Sequence, residues 1–436
     1  AVTLACGATQ TGFGRTGTVN WQTTVKTSGF TAANGEGYFV NTTSGSITVN
    51  LPAGTAGAIV AFKDYANTFD TNNLLLTPNG SDKIGGDSGT SKITQEGLAV
   101  TLVFIDSTKG WLITDSGLQS EVSNPQFIVA TGGNTVATVC TNFKVHTFTG
   151  PGTFCVSNAG NAAGSNTVDY LVIAGGGAGG GRHIGGGGGA GGYRESSGAA
   201  SGAYARSPLG ACVAALPVTA TGFPITVGAG GTGNNNSGAT ESTSGANSVF
   251  STITSAGGGF GKQDQTNPAN PGSGGPGGSG GGANGGGGSN SGPQAQVKGT
   301  GNTPPTDPAQ GTDGGNGVCA AAGGGGGATA AGANGTPSPN TGGNGGAGAT
   351  SSINGTPTTR AGGGGGVGYA TCNQGSGGSG GGGNANRGNT PPGAGDGGAG
   401  TINTGSGGGG TDSRPGPNTG GGGGSGIVII RYRFQE

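Results

Sequence analysis

The chain has 436 residues, of which only 8% are charged, and a net charge of −1. That balance offers no electrostatic footprint for nucleic acid or an anionic membrane, and no apolar run approaches the roughly 20 residues that cross a bilayer. The length suggests two or three domains, and the 113 glycines set one of them apart.

The chain opens on Ala1 and contains no Met, from which a processed or trimmed N-terminus is expected. Thr3-Leu-Ala-Cys6 resembles the end of a lipoprotein cleavage signal, but no basic or long apolar segment precedes it, so 1–18 is read as an N-terminal segment. From Val19 to Thr114 the pattern is all-β. Ile47, Val49 and Leu51 alternate on one face, Pro52-Ala-Gly54 turns the chain, and Ala58–Phe62 follows. Leu98–Ile105 runs through Ser107-Thr-Lys-Gly110 into Trp111–Thr114, a hairpin signal. With Val19–Val25, Tyr38–Val40, Leu74–Leu76 and Ile84, the count of short strands predicts a small β-sandwich over 19–115.

Residues 116–126 are polar and read as a linker. A glycine-rich domain is expected over 127–436, on a β framework drawn from 127–174, 223–254 and 427–434. Its strands include Phe127–Ala130, Phe143–Phe148, Thr153–Val156, Val168–Ala174, Ile225–Val227, Val249–Thr254 and Ile427–Phe434. Thr149-Gly-Pro-Gly152 is predicted to join the second and third as a hairpin.

Between Gly175 and Gly426 about one residue in three is glycine, a level at which collagen must be considered. Collagen needs glycine at every third position, whereas this region has pure runs such as Gly185–Gly189, Gly323–Gly327 and Gly362–Gly366. Ordering glycine costs about 1–2 kcal/mol of backbone entropy per residue, so some interaction must offset it. An extended left-handed helix with about three residues per turn makes no internal hydrogen bonds, and its N–H and C=O groups all point outward. When the side chains are hydrogens, several such helices can lie together and bond to one another. We therefore expect polyglycine II helices packed within 175–426, in preference to a flexible spacer, because strands frame the region and Pro-containing turns punctuate it.

Chemistry is sparse. G-x-G-x-x-G is satisfied at Gly175, Gly177 and Gly180 after a strand, but more glycine follows where a dinucleotide fold needs a helix. Gly261-Lys262 is followed by Gln263, so the phosphate-loop pattern fails. His146 lies in a predicted strand and reads as a sheet residue. Asp64, Asp70, Asp82 and Asp87 lack calcium-loop spacing and read as turn residues. No nucleophile elbow or metal-ligand spacing is present, so no catalytic residue, metal or cofactor is expected. Among six cysteines there is no C-x-x-C; Cys140 could face Cys155 across the expected hairpin, and Cys319 could pair with Cys372 between inserts, while buried thiols remain the alternative.

Binding is expected in the inserts, since loops tolerate variation better than the scaffold beneath. The candidates are Arg182, His183, Ile184, Tyr193, Arg194, Tyr204, Arg206, Lys262, Asp264, Tyr369, Arg387, Asp412 and Arg414, chosen because Tyr and Arg dominate recognition hot spots.

Phe148-Thr-Gly-Pro-Gly-Thr-Phe154, Val168–Ala174 into Gly175–Gly181, Gly189-Ala-Gly-Gly-Tyr-Arg194 and Gly423-Gly-Ser-Gly-Ile-Val-Ile-Ile-Arg-Tyr432 together resemble the glycine-rich tail-fibre and adhesin proteins of tailed phages, especially those of marine cyanobacteria. Tyr38–Thr114, with Leu51-Pro52-Ala53 and Gly110-Trp111-Leu112, is similar to a β domain of such fibres. The resemblance implies parallel packed polyglycine helices whose distal loops bind a host-surface receptor, on a virion fibre that is often trimeric and contacts other virion proteins. Similar glycine-rich domains occur in the ectodomain of anaplastic lymphoma kinase receptors, where they bind partner proteins. The alternatives are a structural subunit that contacts copies of itself, and an enzyme on surface polysaccharide, which would need clustered carboxylates.

Overall fold

The structure is a computed structural model, which describes residues 19–118, 125–162, 164–202, 204–234, 241–263, 272–286, 296–369, 373–387, 395–412 and 418–435. The chain divides into two compact units, Ala1–Asn124 and Pro125–Glu436. Among the described residues there are strands, two short 3-10 turns and no α-helix.

Among the described residues of the first unit nine short strands form two sheets: β1 (Asn20–Lys26), β2 (Phe30–Thr31), β3 (Glu36–Val40), β4 (Ile47–Asn50), β5 (Ile59–Asp64), β6 (Leu74–Thr77), β7 (Ser91–Ile93), β8 (Leu98–Asp106) and β9 (Gly110–Leu118). The first six alternate between the sheets, so each strand returns beside the one two before it, and the pairs β1–β3, β3–β5, β2–β4 and β4–β6 are parallel. Short connections between opposed sheets leave the chain no other way round. From β5–β8 and β6–β7 onward the pairing is antiparallel. The alternation seen in the sequence turns Ile47, Val49, Leu74 and Leu76 of one sheet and Tyr38, Val40, Val60 and Phe62 of the other into a single apolar core with Trp111. The β8–β9 hairpin forms as expected. Asp106 accepts from the Thr108 and Lys109 amides at 2.8 and 2.7 Å, and Gly110 turns at φ +71° against the Lys83 carbonyl, where a Cβ would not fit. Ile84 makes only isolated bridges, to Asp87 and Trp111, and no strand of its own. Asp64 is buried and accepts from the amides of Thr68, Phe69 and Gly97 at 3.0–3.2 Å, closing two loops onto the sheet.

The second unit is built on β10 (Ile128–Thr131), β11 (Thr135–Val139), β12 (Phe143–Phe148), β13 (Gly152–Ala159), β14 (Thr167–Ile173), β15 (Tyr193–Glu195), β16 (Leu216–Pro217), β17 (Gly222–Thr226), β18 (Ser248–Phe250), β19 (Ile253–Ser255), the small pairs β20 (Ala349–Ser351) with β21 (Thr358–Arg360) and β22 (Asn386–Arg387) with β23 (Thr411–Asp412), and β24 (Ile427–Arg433). One sheet runs β10-β13-β17-β18-β19; the other runs β11-β12-β24-β14-β15. The last strand therefore lies in the middle of its sheet, and both β14 and β24 are buried on both faces, which explains why they read as continuous apolar runs.

The predicted Phe143–Val156 hairpin does not form. Gly150-Pro151 reverses the chain, but β12 and β13 join different sheets, and Phe148 and Phe154 meet in the core cluster that both sheets share. Cys140, in the β11–β12 turn at φ 46°, and Cys155, on β13, are accordingly separate exposed thiols, as are Cys212 and Cys319; Cys372 lies outside the described residues. His146 is a core residue: Nδ1 lies 2.7 Å from the Gly132 carbonyl, Nε2 lies 3.1 Å from the Tyr432 hydroxyl, and burial lowers its pKa.

Candidate functional site

Beyond Ile173 successive N–H groups bond in turn to three different segments. Gly175 and Ala178 donate to Ala246 and Thr243 at 3.0 and 3.1 Å, Gly176 and Gly179 to Gly424 and Gly421 at 2.9 Å, and Gly177 and Gly180 to Gly189 and Gly186 at 2.8 Å. The hydrogen-bond period is three, and each partner number falls by three, so these neighbours run antiparallel. Gly187 and Ala190 donate to Gly323 and Gly326 at 3.1 and 2.9 Å, a parallel neighbour. Such bonds, each contributing about 0.5–1.5 kcal/mol net, offset the cost of ordering glycine.

Close approach is what glycine supplies. A Cβ on Gly187, Gly188, Gly325 or Gly364 would fall closer than 3.0 Å to a carbonyl of an adjoining rod. The obstacle is backbone, which cannot step aside as a side chain can.

Because the first rod leaves the end of β14 and the next returns to β15, the inserts collect at two ends. Near the sheets lie 193–227, the β20–β21 hairpin and the Asn302–Gln310 loop, where Gln310 accepts the Tyr193 amide at 2.8 Å. At the far end the turns bond to one another: Gly285 donates to the Ile184 carbonyl at 2.9 Å, Val367 to Gly185 at 3.0 Å, and Tyr369 to Ala320 at 2.9 Å. Ile184, Ala322, Val367 and Ala385 form a small apolar cluster beneath them.

The thirteen candidates separate accordingly. Tyr193, Arg194, Tyr204 and Arg206 are at the sheet end, and two of them are not surface residues. Tyr193 is paired with Ile173 inside the sheet and donates its hydroxyl to Glu195 at 3.0 Å; Tyr204 is buried with the Arg431 guanidinium 5.2 Å from its ring. Arg194 is half-buried and Arg206 exposed. At the far end Arg182 and His183 are half-buried and turn the chain at φ 56° and 35°, while Ile184, expected as a contact, is buried as the centre of the apolar cluster. Lys262 is buried in an ion pair with Glu241. Tyr369 is 45% exposed, Arg387 stacks on its ring at 4.7 Å, and Arg387 Nε is 3.7 Å from Oδ2 of the buried Asp412. Asp264 and Arg414 lie outside the described residues.

Two buried carboxylates, Asp169 and Glu195, lie at the sheet end. Asp169 accepts from Ser196 Oγ at 2.7 Å, Gly198 N at 3.0 Å and Ser201 Oγ at 2.5 Å. Glu195 accepts from Ser207 N at 3.0 Å, Ser207 Oγ at 2.5 Å and Ser351 Oγ at 2.5 Å; burial raises its pKa and the serine bonds oppose the rise. Both act as internal acceptors that hold insert 193–210 on the sheet. For Asp169 the serines spaced along the insert carried the only signal, and serine is ordinary in loops.

No curated protein matches the chain. A family model described as glycine-rich domain matches residues 148–433, and one described as bacteriophage T4 gp9/10-like protein, N-terminal, matches residues 4–122. The first spans the framework strands from β13 to β24 and the described glycine rods between them; the second covers the two-sheet unit. The chain thus belongs to the glycine-rich domain family and, with its gp9/10-like N-terminal region, is a structural protein of a phage tail.

Proposed function

We propose that the protein is a tail-fibre adhesin that recognises a host-surface receptor through the far turns of its glycine array. The supporting observation is the division of labour within the array: rods held mainly by main-chain bonds leave the far turns to carry Arg182, His183, Tyr369 and Arg387 on a rigid base. The fibre would be a homo-oligomer, with a trimer as the expected form, and would contact other virion proteins through the gp9/10-like unit. No part of this activity requires chemistry on the receptor.

The test is binding of labelled protein to candidate host cells. Saturable binding is expected to fall at least tenfold in a combined Arg182→Ala, His183→Ala, Tyr369→Ala variant and to persist in Arg206→Ala at the opposite end. Equal binding by all three, or none by any of them alongside assembly into ordered fibres, would instead favour a subunit that contacts copies of itself.

A further inference from the structure

We propose that Lys262 and Asn284 are the partners of an intramolecular isopeptide bond, formed with Glu241 as the proton-transfer group. Three rods flank that of Lys262. Lys262 N donates to the Gly282 carbonyl at 3.0 Å, two residues before Asn284; Gly275 N donates to Phe260 at 2.8 Å; and Gly245 N donates to Gly258 at 2.9 Å, on the rod that Glu241 begins. The backbone array thereby brings an amine, a carboxyl and a carboxamide to one place. Lys262 Nζ is in direct contact with Glu241 Oε1. A Cβ placed on Gly272 would lie 2.5 Å from Lys262 Cε and 3.0 Å from Asn284 Oδ1, so both side chains border the space beside the same glycine. Lys262 and Asn284 are buried, and Asn284 Oδ1 has no hydrogen-bond partner among the described residues. A carboxamide oxygen held unsolvated and unpaired is destabilised as it stands. It is also the atom that a protonated carboxyl would polarise.

The step balances without a co-reactant. Glu241 takes the proton of the Lys262 ammonium, and the resulting amine adds to Asn284 Cγ. Glu241 then gives its proton to the departing nitrogen, takes the second proton from the attacking nitrogen as the tetrahedral adduct collapses, and passes it to the ammonia released. One C–N bond forms, one breaks, ammonia leaves as ammonium and Glu241 is again a carboxylate; nothing is oxidised or reduced. Proximity supplies the rate, since groups held together react as though at very high concentration. The product joins two parallel rods covalently at the far end of the array, independently of whether that end binds a receptor.

Intact mass and peptide mapping of the full chain decide the matter. The native protein is expected to weigh one ammonia less than its sequence, to resist trypsin after Lys262, and to yield a branched peptide joining Lys262 to Asn284. Lys262→Arg and Glu241→Gln should each restore the full mass while the far-ultraviolet circular dichroism stays that of the native protein. Full mass with cleavage after Lys262 in the native protein would reduce the cluster to an ion pair and overturn the proposal. So would a deficit that persists in Lys262→Arg, because Asn284-Gly285 can lose ammonia by closing on its own backbone. A deficit that persists in Glu241→Gln would remove Glu241 from the reaction.

Discussion

Gly364→Ala should unfold the second unit far more readily than Gly422→Ala, although both replace one glycine of a rod by the smallest side chain. At Gly364 the new Cβ would lie closer than 3.0 Å to the Gly408 carbonyl group. Relief requires these two rods to separate where Gly407 N meets Gly362 O and Gly410 N meets Gly365 O, both at 2.9 Å, and strains the bond from Gly364 N to Gly188 O at 2.8 Å. Losing two or three bonds at about 0.5–1.5 kcal/mol each, with the attendant overpacking, amounts to about 2–4 kcal/mol. At Gly422 the nearest atom is the Gly231 carbonyl oxygen at 3.5 Å, an ordinary contact. There alanine should be neutral or stabilise by about 0.4–1 kcal/mol, by restricting the unfolded chain. Both tryptophans, Trp21 and Trp111, belong to the first unit, so their fluorescence is blind to the array. Urea unfolding followed by far-ultraviolet circular dichroism, with calorimetry as a second measure, reports on it. Equal losses in the two variants, or a neutral Gly364→Ala, would refute main-chain contact as the reason for glycine.

Trp111 is fully buried and packs edge-to-face on Phe104 at 5.6 Å, so Trp111→Ala should cost the first unit about 3–5 kcal/mol in denaturant titrations followed at Trp21. His146 has a pKa lowered by burial, so the folded state resists a proton that the unfolded state accepts; stability is fully present above the ordinary value of 6.5 and declines as pH falls below it. The melting temperature of His146→Gln should accordingly change less than that of the native protein between neutral and mildly acidic pH. Cys140, Cys155, Cys212 and Cys319 should all react with a thiol reagent in the native protein, and protection of Cys140 together with Cys155 would restore the pairing rejected above.

The elements that were legible in the sequence are those whose signal is local. Val168–Ala174 and Ile427–Phe434 could be read as strands because burial on both faces forces an apolar, β-branched run. The glycine-rich blocks could be read as an ordered domain because strands frame them and Pro-containing turns punctuate them. What could not be read is partner choice. Thr149-Gly-Pro-Gly152 announces a reversal, yet nothing in it says that β12 and β13 part to separate sheets, since their true partners are Arg433 and Ile225. The parallel winding of the first unit is hidden for the same reason. At the far end Tyr369, Arg387 and Asp412 are each conspicuous alone, but they stand on three distant segments, the last two paired as β22 and β23, that only the bonding of the rods brings together. Tyr193 and Tyr204 mislead because a tyrosine in a polar insert looks like a contact, whereas here one insert folds back and buries both.

The hydrogen-bond period of three gives the array a reading frame. Each residue advances an extended rod by about 120°, so a rod addresses its neighbours by phase and not by side-chain identity. Adding or deleting three glycines lengthens or shortens a rod while every donor still faces its own acceptor. A change of one residue rotates all subsequent donors toward the wrong neighbour, and no side chain is available to restore the match. Length variation in such a scaffold should therefore come in triplets within the rods and in any number within the turns, which lets the far surface be rewritten without altering the lattice that carries it.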